Sequence, residues 1–159
     1  MFSDLKHGWV YVNMNGYGAY LSYSANIPRD WLAQAIFGLE KNLPITVYGD
    51  CEPGRCIFTF TDTSCHAFYE DEFDRPASKR RSRFYIRPMG KMEFCKKLYI
   101  GVSENLDEWA TWLQYSYKTE ERDYPYDDPR FIEHQKELEA MLKRLKELID
   151  LREGQEKGV

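Results

Sequence analysis

Asn15-Gly16, set between the runs WVYVNM and YGAYLSYS, constrains the fold of this chain more than any other pair of residues. Both central positions of a type I′ turn need positive φ, which Asn and Gly tolerate, so the two flanking runs are expected to close as a β-hairpin. The next segment, NIPRDWLAQAIFGLEKN, changes period. Pro28 suits a first helical position, and Trp31, Leu32, Ala35, Ile36 and Leu39 fall on one face, which predicts an amphipathic helix ended by Pro44.

Strand signals then return. ITVY, RCIFTFT and CHAFYE are separated by the turn-forming DCEPG and TDTS, giving a β-meander, and FYIRPM at 84–89 reads as a further strand. KMEFCKKLYIGV fits either element; Met92, Cys95 and Tyr99 favour a helix. In SENLDEWATWLQYSYK, Asn105 followed by Glu108 reads as a capped start, with Leu106, Trp109, Ala110, Leu113 and Tyr117 on one face. A long helix is expected over 130–153, with Leu138, Met141, Leu142, Leu145, Leu148 and Ile149 as its apolar stripe, and 154–159 as a frayed tail. The order predicts an α+β fold: an antiparallel sheet made of the N-terminal hairpin, a helix and the β-meander, packed by helices and closed by a long amphipathic C-terminal helix. At 159 residues one domain, 1–153, is the expectation.

Composition narrows the function classes. A net charge of −4 disfavours direct nucleic-acid binding, which draws on a basic face, and the basic run SKRRSR is nearly neutralised by neighbouring carboxylates. No stretch is apolar enough to span a bilayer and the N-terminus has no signal-peptide pattern, so a cytoplasmic chain with reduced thiols and no membrane partner is expected.

Chemistry centres on YGDCEPGRCIFTFTDTSCHAF. Cys51, Cys56, Cys65 and His66 are zinc-type ligands, but four of them must converge, and Cys65 and His66, adjacent in a strand, point to opposite faces. The expectation is therefore no metal and no cofactor: Cys51 in a turn, Cys56 beside aromatics, Cys65 starting a strand. His7, His66 and His134 lie in no catalytic motif and no phosphate-cradling glycine pattern occurs, so an enzyme is not the leading reading.

Two acidic, aromatic stretches remain. Tyr69, Glu70, Asp71, Glu72, Phe73 and Asp74 form one; Asp123, Tyr124, Tyr126, Asp127 and Asp128 form the other, on a proline-stiffened connector. Carboxylates steer basic partners and tyrosines make rigid contact area, which points to a non-enzymatic module that inhibits or regulates a protein partner with a basic surface. In size and acidity the chain is similar in broad character to toxin-neutralising immunity proteins and phage-encoded inhibitors, a likeness of class that no motif carries. An acidic nucleic-acid mimic and a small Cys/His metal-binding or enzymatic domain are the alternatives. The partial heptads of the last helix add homodimerisation as a second partner expectation.

Overall fold

The computed structural model describes residues 1–6, 8–71, 76, 81–112 and 129–157. Its elements run β1 (Phe2–Lys6), β2 (Trp9–Met14), β3 (Tyr17–Ser22), α1 (Ile27–Lys41), β4 (Ile45–Asp50), β5 (Arg55–Phe60), β6 (Cys65–Asp71), β7 (Arg81–Arg87), α2 (Lys91–Ser103), α3 (Leu106–Ala110) and α4 (Pro129–Lys157). The fold is α+β, with the strands divided between two antiparallel sheets, β1-β2-β3 and β4-β5-β6-β7.

The Asn-Gly hairpin forms as its chemistry requires: Asn15 and Gly16 take φ of 48° and 93°, and Met14 pairs with Tyr17. β1 adds a third strand that FSDLK does not advertise. Asp4 interrupts its alternation with a φ of 52°, and the register shifts between Ser3 and Lys6. Val10, Val12 and Met14 of β2 turn inward, as a half-buried strand dictates.

α1 buries Trp31, Leu32, Ala35 and Leu39 and stops at Asn42, whose left-handed φ of 54° lets its N–H reach back to the carbonyls of Gly38 and Leu39. The stop is therefore a left-handed cap two residues ahead of Pro44. The two sheets meet closely where β3 crosses β4: a Cβ at Gly49 would lie 2.6 Å from Leu21 Cδ1, so glycine is what permits the approach.

Residues 91–103 are helical, with Phe94, Cys95, Leu98 and Val102 buried and Met92 and Tyr99 at the margin. Phe94 stacks on Phe60 of β5 at 3.9 Å between ring centroids. α3 is short, and the Asn105 side chain makes no cap: its amide donates instead to the Gly101 carbonyl of α2. Leu113 and Tyr117, expected on the same face, lie outside the described residues.

α4 continues through Lys157, four residues past the expected end at 153. Its stripe of Leu138, Leu142, Leu145, Leu148 and Ile149 is spent within the chain, buried in the common core. Arg29 to Glu137 and Arg144 to Glu40, both 2.7 Å, lash α4 along α1, and Arg152 donates to the Leu39 carbonyl at the cap of that helix. A dimer through this stripe would require α4 to leave its own core. No described helix is long and apolar enough to cross a membrane.

Candidate functional site: the outer face of the four-stranded sheet

Strict alternation divides the β4-β5-β6-β7 sheet into two faces. Inward, Ile45, Val47, Phe58, Phe60, Cys65 and Ala67 are buried. Outward, a half-solvated sheet is expected to carry polar side chains, yet one complete register row is apolar: Tyr48 opposite Ile57, Ile57 opposite Phe68, Phe68 opposite Phe84. Tyr48 is 52% exposed, Phe84 59%, and Ile86, on the adjacent row, 54%. Ile57 and Phe68 in the middle are half-buried.

The rows on either side differ. One holds Thr46, Thr59, His66 and Ile86 in register. Thr46 and Thr59 share a hydroxyl hydrogen bond of 3.0 Å, and His66 bonds Ser64 Oγ through Nε2 at 3.0 Å with its ring 5.8 Å from that of Phe84. The other row holds Asp50, Arg55, Glu70 and Ser82, and Arg55 pairs with Glu70 at 2.8 Å. An apolar centre thus has a largely polar margin on one side and a charged margin, with Arg55 and Glu70 paired, on the other.

The backbone beneath is anchored. Trp31 donates its indole N–H to the Tyr48 carbonyl at 2.8 Å, tying the outer row to the core of α1. Asp50, the last residue of β4, and Glu52, in the turn beyond it, accept short hydrogen bonds of 2.6 Å from Ser24 and Ser22, whose hydroxyl oxygens lie 2.8 Å apart.

Of the acidic and aromatic residues singled out in the sequence, Tyr69 and Glu70 are adjacent but divided by the sheet. Tyr69 packs on the core side, while Glu70 faces outward and meets Arg55. Asp71 ends β6, where only its backbone is described. Glu72, Phe73, Asp74, Asp123, Tyr124, Tyr126, Asp127 and Asp128 lie outside the described residues.

The Cys/His segment divides as well. Cys65 is buried on the inner face, and His66 turns outward. Burial pushes the Cys65 thiol up to about 11 and the Cys95 thiol up to about 12. Cys51 and Cys56 do come together, their sulfurs 3.1 Å apart, with the Tyr17 hydroxyl 3.5 Å from Cys56. Among the described residues no three His, Cys, Asp or Glu side chains converge as metal ligands.

Sequence reasoning missed two features. The signal for the outer row was present: in CIFTF, HAF and RFYI the large apolar residues occupy both parities, more than one buried face can use. The signal for the cysteine pair was CEPGRC, a turn flanked by the two residues it brings side by side. Set against family models, curated proteins and solved structures, the chain matches none.

Proposed function

We propose that the chain is a protein-binding module that docks a partner protein on the outer face of its four-stranded sheet, and by occupying that partner inhibits or regulates it. The observation that carries this reading is the uninterrupted row Tyr48, Ile57, Phe68 and Phe84 across all four strands. Interfaces concentrate aromatic side chains at a centre depleted of charge and ring it with polar residues, which is the composition of this face. Contiguous exposed apolar residues rimmed by polar ones are a feature of interaction sites.

The partner's chemistry follows from what surrounds the row. In the sequence, Phe68 is followed by the carboxylates Glu70, Asp71, Glu72 and Asp74. Glu70 is already balanced by Arg55, so steering falls to the carboxylates beyond it. A partner with an apolar patch bordered by basic residues fits both. Single-stranded nucleic acid fits less well: Ile57 and Ile86 give no stacking surface, and the row itself holds no cation.

The test compares three forms of the tagged chain as baits in lysate from its source: unaltered, Tyr48→Ser with Phe84→Ser, and Phe37→Ser as a control on the exposed side of α1. A protein held by the unaltered chain and by Phe37→Ser, but lost from the double variant, supports the reading. Equal retention by all three overturns it.

A further inference from the structure

The thiols of Cys51 and Cys56 are 3.1 Å apart at the mouth of the β4-β5 hairpin, and nothing in the docking reading uses them. Both are free cysteines; Cys51 is half-buried and Cys56 fully buried. Their closeness is built in by the hairpin. Asp50 pairs with Arg55, the Cys51 N–H donates to the Gly54 carbonyl at 2.7 Å, and Ser22 and Ser24 hold the side chains of Glu52 and Asp50, the neighbours of Cys51 in sequence. The entropy of bringing the sulfurs together has thus been spent by folding, before any bond forms between them.

We propose that Cys51 and Cys56 form a dithiol site that closes to an intrachain disulfide by exchange with a small disulfide of the glutathione class. Cys51 is the entry sulfur because it alone of the two reaches the surface. Cys56 is the resolving sulfur, enclosed behind it and 3.5 Å from the Tyr17 hydroxyl.

The electrostatics set where the thiolate of the pair rests. The Cys51 hydrogen bond, and then that of Tyr17, favour the thiolate of Cys56 and lower its pKa against the opposing effect of burial. The same sulfur–sulfur hydrogen bond, followed by burial, raises Cys51. Loss of a proton from the pair therefore leaves the thiolate on Cys56 and the proton on Cys51, so Cys51 enters by its exposure, giving up its proton as it attacks, and Cys56 is suited to the second, resolving attack.

The exchange balances in two steps. Cys51 attacks one sulfur of RSSR; the Cys51–SR bond forms, the RS–SR bond breaks, and RS⁻ leaves to be protonated. Cys56 then gives up its proton and attacks the Cys51 sulfur, forming the Cys51–Cys56 bond and expelling the second RS⁻. The protein loses two electrons and two protons, and RSSR becomes two RSH.

The test uses the full, folded, reduced chain with glutathione disulfide as the probe. Thiol titration is expected to fall from four free thiols to two, with Cys65 and Cys95 unreacted. Trypsin cleavage after Arg55 separates the two cysteines, and chymotrypsin cleavage after Phe58 or Phe60 parts Cys56 from Cys65, so the link appears as a joined pair of peptides, one holding Cys51 and the other Cys56 alone, that reductant parts. Cys56→Ser should stop at the first step and accumulate one glutathione adduct on Cys51, whereas Cys51→Ser should resist reaction. Four thiols surviving in the folded chain would overturn the assignment. So would Cys56 reacting as readily in Cys51→Ser as Cys51 does in Cys56→Ser, or a link from Cys51 to Cys65.

Discussion

Phe68 stands directly opposite Phe84 in the register of β6 and β7, on the face of the sheet turned away from the core. Because Phe84 is 59% exposed, truncating it removes little that folding depends on. Phe84→Ser should leave the unfolding free energy within about 0.5 kcal/mol of that of the unaltered chain. It should weaken partner binding by about 2 kcal/mol or more. Chemical denaturation of both forms reads the first quantity, and titration of the captured partner reads the second.

Glu70 sits 2.8 Å from Arg55 and contributes a balanced charge. Removing both members of the pair, Arg55→Gln with Glu70→Gln, should therefore change the association rate little. Reversing Asp71, Glu72 and Asp74 together should slow association, most at low ionic strength, where the screening length is longest. Stopped-flow association at several salt concentrations checks this; a larger effect from removing the neutral pair than from the triple reversal would contradict it.

Trp31 joins the core to the outer row through its hydrogen bond to the Tyr48 carbonyl. Trp31→Phe removes that donor and part of a side chain only 1% exposed, at an expected cost of roughly 2 to 4 kcal/mol in unfolding free energy. Chemical denaturation measures it, and a loss below about 0.5 kcal/mol, ordinary for a surface change, would show that the carbonyl finds another donor.

Gly49 and Leu21 are coupled by space. Adding a methyl at Gly49 places it 2.6 Å from Leu21 Cδ1, so Gly49→Ala should destabilise by roughly 1 to 3 kcal/mol. Much of that loss should return when Leu21→Ala is combined with it, giving a positive coupling in a double-mutant cycle. Additive losses would place the strain in the β4 backbone instead.

Cys65 and Cys95 are held as thiols by burial, their pKa raised from 9.0 to about 11 and about 12. The unfolded chain therefore releases these protons first as pH rises. Their contribution is fully present below pH 9.0 and is lost as pH climbs through about 11 for Cys65 and about 12 for Cys95. In that window each thiol should steepen the decline of unfolding free energy by up to about 1.4 kcal/mol per pH unit. Cys65→Ala should flatten the decline by its share; an unchanged slope would show that Cys65 ionises in the folded state.

Much of this architecture was legible because local chemistry and tertiary packing agree. Asn15-Gly16 can hardly form anything but a tight hairpin, and the faces of α1 and α4 are carried by residues that are in fact buried. β1 was illegible because Asp4 breaks the alternation of FSDLK, and its pairing with β2 comes from tertiary contact. The heptads of α4 suggested a partner helix because periodicity reports that a stripe is buried without saying by what; α1 and the rest of the core bury it. For the site, composition drew attention to charged loops, whereas the outer row becomes visible only when four separate strands are placed in register.

Site-specific photocrosslinking in the source cells tests the docking face most directly. A photoreactive benzophenone side chain replaces Phe84 in one form of the chain and Ile100, exposed on α2, in another. The account predicts that position 84 traps one discrete partner protein and position 100 does not. The same products from both positions, a second copy of this chain at position 84, or crosslinks to nucleic acid there would contradict it.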